Sequence, residues 1–187
     1  LTNAGNDFTG AVALSNSGAN AVSVTDTNAL DLGVVSVGTG TLTVIAGGAL
    51  TQSGAIVQTA AAGIARFTAA AFAITLTNAG NDFTGAVALS NSGANAVSVT
   101  DANALDMGAV SVGTGTLTVI AGGALTQSGA IVQTAAAGIA SFTAGAFAIT
   151  LTNAGNDFTG AVQLSNGVAS NAQIVDANTL DFGTSSV

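Results

Sequence analysis

The chain has 187 residues, and its composition excludes several kinds of chemistry. It contains nine Asp, one Arg and no His, Cys, Glu, Lys, Tyr, Pro or Trp, which gives a formal net charge of −8. Zinc sites of Cys and His and disulfide frameworks are therefore impossible, and nucleic acid is not expected as a partner. No apolar run reaches the length of about 18 residues that a membrane-spanning helix needs, so membrane insertion is not expected either.

A 75-residue repeat organises the sequence. Residues 1–75 reappear as residues 76–150 with five substitutions, and a partial third copy covers residues 151–187. The substitutions are Thr27 to Ala102, Leu32 to Met107, Val34 to Ala109, Arg66 to Ser141 and Ala70 to Gly145. Because the chain starts inside this pattern, at Leu1 and without an initiator Met, we expect residues 1–187 to form one continuous repeat segment of a longer chain.

Each copy contains three smaller units, and each unit has three short apolar blocks. In chain order the blocks are 11–14, 21–25 and 29–30, then 34–37, 41–45 and 49–50, then 55–57, 64–68 and 71–77. Alternating Val- and Thr-rich blocks predict strands, and the Gly, Asn, Asp and Ser clusters between them predict turns. The sequence therefore predicts an all-β fold, a right-handed parallel β-helix (β-solenoid) with three short strands per turn and about three turns per 75-residue repeat. Four turns of about 19 residues per repeat are the alternative.

Alternation within the blocks also predicts which side chains fill the interior of this solenoid. Three inward columns are expected, consisting of Val12, Val35 and Ile56, of Val22, Leu42 and Ala65, and of Leu30, Leu50 and Phe72. Gln52 and Gln58 fall at inward positions, for which a β-bulge is the expected explanation.

The acidic residues give a weak candidate for a metal site. The segment from Thr25 to Asp31 places two carboxylates five residues apart with an Asn between them, and it returns in each copy. Carboxylate and amide oxygens are calcium ligands, but Asp and Asn also commonly cap their own turns, and we favour that second interpretation. The candidate calcium ligands are Asp26, Asp31, Asp101, Asp106, Asp176 and Asp181. No cofactor is expected.

The loop Asn78-Ala79-Gly80-Asn81-Asp82 follows the longest unit and is the best candidate for a binding contact. The alternative is a plain turn, because Asn and Gly both tolerate positive φ. The candidate contact residues in the second and third copies are Asn78, Asn81, Asp82, Asn153, Asn156 and Asp157.

Catalysis is not expected from these residues. Paired carboxylates could match a glycosidase, but no Lys, His or Tyr is present to orient a substrate or tune an acid, and a Ser nucleophile would lack a His or Lys base. The single cation, Arg66, is replaced by Ser141 in the second copy.

Three segments carry a family resemblance: Leu42 to Gly54, Ala140 to Gly145 and Ile149 to Phe158. They resemble the repeats of filamentous-haemagglutinin-type exoproteins of Gram-negative bacteria, which use two-partner or autotransporter-like secretion. The resemblance implies a secreted right-handed β-helix, an extracellular or cell-surface location on a bacterium, and a role in adhesion or biofilm formation.

The expected function is therefore a structural shaft of a secreted bacterial surface adhesin. A self-assembling extracellular filament or matrix protein is the alternative, because a solenoid exposes unpaired strand edges at its ends. A glycan-binding or polysaccharide-active solenoid is less favoured. The expected partners are flanking repeats or further copies stacked end to end, and host or bacterial surface glycans or receptors.

Overall fold

A computed structural model describes residues 1–167 and 170–187 of the protein. These residues form strands and turns, and none of them belongs to a helix that could cross a membrane. Residues 168 and 169, which belong to the predicted third copy, lie outside the described residues. The prediction of an all-β fold is confirmed.

The strands of the described residues form two sheets of nine strands each. Sheet 1 contains β1 (Val12–Asn16), β3 (Leu30–Val37), β5 (Leu50–Gln52), β6 (Ile56–Gln58), β8 (Ile74–Leu76), β10 (Val97–Asp101), β12 (Leu117–Ala121), β15 (Ala140–Thr143) and β17 (Val162–Ser165). Sheet 2 contains β2 (Val22–Asp26), β4 (Leu42–Ala46), β7 (Ala65–Thr68), β9 (Val87–Ser90), β11 (Leu105–Val112), β13 (Leu125–Gln127), β14 (Ile131–Gln133), β16 (Ile149–Leu151) and β18 (Ala172–Ile174).

The chain alternates between the two sheets, and each strand pairs in parallel with the strand one turn away. This arrangement is the predicted parallel β-solenoid, and it has about 8 turns. At about 4.8 Å per stacked strand, the rod is about 38 Å long. Its backbone hydrogen bonds run along the rod axis, so that each turn serves as the template for the next.

The 75-residue repeat covers three and a half turns, which refines the expected three. Val22 in sheet 2 aligns with Leu42, Leu42 with Ala65, and Ala65 with Val87, which makes three full turns. The copy of Val22 in the next repeat is Val97, which lies half a turn further on, in sheet 1. Successive copies of the same sequence therefore face opposite sides of the rod.

The expectation of three strands per turn is also refined. The turn that starts at β4 contains three strands, β4, β5 and β6, but the last two both pair with the single long strand β3. Two of the three apolar blocks therefore belong to one sheet, and the cross-section has two sheets rather than three.

The predicted interior columns are observed where the strands are regular. Val22, Leu42 and Ala65 align as expected, and Leu30 aligns with Leu50. The next member of the Leu30 column is Ile74, whereas Phe72 is 45% exposed. Its assignment to the interior was wrong because residues 69–72 form a turn, with the Phe72 N–H donating to the Ala69 carbonyl at 2.7 Å.

The first predicted column is only partly observed, because a register shift displaces Val12 from it. Val35 aligns with Ile56 as expected, but Val12 aligns with Leu32, and Leu14 takes the place beside Val35. The irregularity lies between Val12 and Leu14, where the long strand carries one extra residue.

Small aliphatic side chains fill the interior along its whole length, and a few phenylalanines widen it. Phe67 and Phe83 pack edge to face with ring centroids 5.9 Å apart, and Phe142 and Phe158 repeat this pair at the same distance. Each buried Val, Leu, Ile or Phe side chain contributes about 1.5–3 kcal/mol, so these contacts help to hold neighbouring turns together.

Candidate functional site: a polar junction between turns

The structure brings together two motifs that the sequence presents separately. The loop residues Asn81 to Phe83 lie directly against residues Thr100 to Ala102 of the following turn. The Phe83 N–H donates to Asp101 Oδ1 at 2.9 Å, and the Ala102 N–H donates to the Asn81 carbonyl at 2.8 Å. We call these six residues the central junction. Sequence reasoning missed this contact, although Asp82 and Asp101 are 19 residues apart, which is close to the length of one turn.

Asn81 is fully buried at the junction and joins three consecutive turns. Its Oδ1 accepts hydrogen bonds from Gln52 Nε2 at 2.8 Å and from the Ile56 N–H at 2.9 Å. Its Nδ2 donates to Gln52 Oε1 at 2.8 Å, to the Leu76 carbonyl at 3.2 Å and to the Thr100 carbonyl at 3.1 Å. The two amides therefore pair face to face, and the pair also binds the backbone of the turns on either side.

The inward glutamines are explained by hydrogen bonds at the corners of the rod rather than by the expected bulge. Gln52 bonds to Asn81, as described above, and its Nε2 also donates to the Gly54 carbonyl at 2.7 Å. Gln58 is 2% exposed, and its Nε2 donates to the Gly63 carbonyl at 3.0 Å. Its Oε1 accepts from the Gly85 N–H at 3.3 Å. Both side chains therefore satisfy backbone groups at the corners of the rod, where the strand ladder is interrupted.

Asp101 is the buried acid of the central junction, with 2% of its surface exposed. Only its Oδ1 has a hydrogen-bond partner among the described residues, and its buried Oδ2 has none. Burial raises the pKa of Asp101 from its ordinary value of 3.8 to about 6. The hydrogen bond from Phe83 opposes this shift, and the negative charge of Asp82 adds to it.

The junction occurs three times among residues 1–167 and 170–187, on alternating sides of the rod. The Phe8 N–H donates to Asp26 Oδ1 at 3.0 Å, and the Phe158 N–H donates to Asp176 Oδ1 at 2.9 Å. As in the central copy, the Oδ2 atoms of Asp26 and Asp176 are buried without a partner among the described residues. Asn156 pairs with Gln127 as Asn81 does with Gln52, at 2.8 and 2.9 Å.

Four of the six candidate calcium residues belong to two separate hydrogen-bond networks. Asp26, Asp101 and Asp176 belong to the junctions, whereas Asp31 accepts hydrogen bonds from Ser53 Oγ at 2.7 Å and Thr51 Oγ1 at 3.4 Å. Asp106 is half-buried and Asp181 is exposed. The described residues contain no group of three or more His, Cys, Asp or Glu side chains that could hold a metal ion.

The candidate contact residues divide into interior and surface positions. Asn81 and Asn156 are fully buried, which removes them from any surface contact and corrects their assignment to a projecting loop. Asn78 Oδ1 and Asn153 Oδ1 each accept from the N–H two residues ahead, at 2.9 Å, so they stabilise their own turns. Asp82 and Asp157 are half-buried, and Asp157 Oδ1 accepts from Asn178 Nδ2 at 3.0 Å.

These features define a β-solenoid repeat protein whose polar side chains mainly join its turns. A protein-family model described as "Repeats of unknown function (DUF5649)" matches residues 19–90 and 94–165. The chain belongs to this repeat family. Searches of curated proteins and of solved structures found no match.

Proposed function

We propose that this chain is a shaft segment of a secreted bacterial surface adhesin, where it supports cell adhesion or biofilm formation without catalysing a reaction. The observation that carries the proposal is the burial of the Asn81 and Asn156 amides. Each repeat uses its most polar loop to join consecutive turns, and this use favours a stiff rod over a ligand-binding surface. The resemblance to filamentous-haemagglutinin-type repeats supports the extracellular part of the proposal.

Single-molecule pulling tests the mechanical role. The purified chain is stretched between its ends, and the unfolding force is compared with that of an Asn81→Ala/Asn156→Ala variant. We expect the variant to unfold at a clearly lower force, because both amides join neighbouring turns. Asn78→Ala/Asn153→Ala is the matched control and should keep the parent force. Equal forces for all three chains would contradict the mechanical role of the junctions.

Binding measurements on the same protein test the passive character of the shaft. The parent chain is presented to glycan arrays and to cultured host and bacterial cells. A shaft should show no strong, saturable binding to one glycan or receptor. Such binding would instead support the glycan-binding alternative.

A further inference from the structure

A cleft lies on the outer face of sheet 2, where the first repeat meets the second. It has a volume of about 470 Å³ and is lined by β7, β9, β11 and the region of β14. Its rungs are in register, because Thr68 aligns with Ser90, Ser90 with Ser111, and Ser111 with Val132. Four rungs at about 4.8 Å spacing make the cleft about 14 Å long, and its volume is in the usual range for small-molecule sites.

The lining of the cleft combines one cation with small apolar groups. Arg66, whose side chain is the only basic one in the sequence, lies beside Ala88 on the neighbouring strand. None of the described residues that line the cleft is acidic, although the chain carries nine acids. The remaining polar groups are hydroxyls. The cleft therefore differs in charge from the acidic rod around it and is complementary to an anion with an apolar body.

Two of the five differences between the otherwise identical repeats meet in this cleft. Arg66 comes from the first repeat and corresponds to Ser141, while Ala109 comes from the second and corresponds to Val34. Ala109 is smaller than Val34 and therefore leaves open space in the cleft. Val34 occupies the same position of the first repeat, on the opposite side of the rod, where its side chain is 64% exposed. In the second repeat the corresponding pair is different: Ser141 aligns with Gln163, whereas Arg66 aligns with Ala88. The cation and the open apolar space thus occur together at the boundary of the first two repeats.

We propose that this cleft binds an aliphatic carboxylate. The Arg66 guanidinium can bind the carboxylate through two parallel hydrogen bonds, which is the strongest geometry available to this pair. The aliphatic chain would lie along the rod over Ala88, Ala109 and Ala130, where each buried methylene adds to the binding energy. This site gives the rod a ligand that its proposed role as a shaft does not require.

Isothermal titration of the full chain with dodecanoate, kept below its micelle-forming concentration, tests the proposal. We expect one saturable site per chain. Arg66→Ser should weaken binding at least ten-fold, and Ala109→Val should weaken it by narrowing the cleft. Both variants carry the residue found at the same position of the other repeat, so the fold should be kept, and circular dichroism checks this. Acetate has the head group but lacks the aliphatic chain, and it should bind at least ten-fold more weakly.

Three results would each overturn the proposal. Absence of saturable dodecanoate binding would remove the site. Unchanged affinity in Arg66→Ser would show that the carboxylate is not held by the guanidinium. Unchanged affinity in Ala109→Val would place the ligand outside the cleft. None of these results bears on the pulling experiment, so the shaft role is tested independently.

Discussion

The Asn81 amide uses all of its hydrogen-bonding capacity inside an otherwise apolar rod. A buried amide without partners would destabilise the fold, but Gln52, the Leu76 carbonyl of the same turn and two backbone groups of the neighbouring turns satisfy it. Such a network is strong when it is complete and costly when it is broken. At the scale of the residue, the stability of the rod therefore depends on a few buried polar side chains as well as on its aliphatic columns.

Removing the Asn81 side chain should destabilise the protein. We expect Asn81→Ala to lower the free energy of unfolding by about 2–4 kcal/mol, because Gln52 and the Ile56 N–H lose their buried partner. Denaturant unfolding followed by circular dichroism measures this change. Asn78→Ala, which loses only a local turn hydrogen bond, should cost less than about 1 kcal/mol. The Gln52→Ala/Asn81→Ala double variant should be less destabilised than the sum of its two single changes, and strict additivity would show that the amides do not interact.

Asp101 makes the stability of the rod depend on pH. Its pKa in the folded protein is about 6, above its ordinary value of 3.8, so the folded state binds the proton more tightly than the unfolded state. The resulting stabilisation is fully present below about pH 3.8 and is lost as the pH rises through about 6. We expect acidification from pH 7 to pH 4 to raise the free energy of unfolding by roughly 2 kcal/mol through the protonation of Asp101.

The Asp101→Asn variant isolates this contribution. Asn is neutral at every pH and nearly the same size, so thermal unfolding of the variant should depend less on pH between 4 and 7 than that of the parent. Asp181→Asn changes an exposed acid and should retain the parent profile. If Asp101→Asn retained the full pH dependence, Asp101 would not be its source.

At the scale of the element, the corners between strands are the most crowded part of the fold. The backbone of one turn lies so close to the next that a Cβ built on Gly85 would be 2.1 Å from the Gly63 carbonyl oxygen. Real Cβ atoms never approach a backbone oxygen this closely, so a side chain here would push two turns apart. The corner glycines thus preserve the stacking distance that the strand hydrogen bonds require.

The repeat supplies its own control for a corner glycine. Gly10 is the copy of Gly85 in the first repeat, and a Cβ built there meets nothing within 4 Å. We expect Gly85→Ala to lower the free energy of unfolding by about 1–3 kcal/mol through this steric conflict, and Gly10→Ala to leave it nearly unchanged. Parallel denaturant titrations of the two variants test the difference. If the two variants were destabilised equally, the cause would be the replacement of glycine itself and not the steric conflict between turns.

The strands and much of their stacking could be predicted from the sequence, because alternation fixes which side chains face inward. The column of Val22, Leu42 and Ala65 follows directly from this pattern. The number of turns per repeat could not be predicted from alternation. A corner between two strands and a continuous strand can contain similar residues, so the sequence does not show where one strand ends. Leu30–Val37 contains two predicted blocks and is one strand. The pairing of Gln52 with Asn81 was also beyond reach, because it depends on a contact across 29 residues that no local pattern marks.

At the scale of the whole molecule, the extra half turn in each repeat places successive copies of a surface feature on opposite sides of the rod. Each copy is related to the next by a rotation of about half a turn and a rise of about 17 Å, from three and a half turns at about 4.8 Å. A surface feature therefore reappears on the same side only after two repeats, about 34 Å along the axis. Duplication of one repeat lengthens the rod and moves every later feature to the opposite side, which is a geometric consequence that three whole turns would not have.

Distances between paired spin labels test this geometry directly. The chain has no Cys, so labels can be placed at residues 27, 102 and 177, which are exposed and occupy the same position in the three copies. Residues 27 and 102 directly follow β2 and β10, which belong to opposite sheets. We therefore expect double electron–electron resonance to give a separation of about 20 Å or more, which combines the rise with the roughly 10 Å between sheets. Residues 27 and 177 share a side and should be about 34 Å apart, or seven turns. Separations near 14 and 29 Å for the two pairs would instead match three whole turns per repeat and would contradict the repeat of three and a half turns.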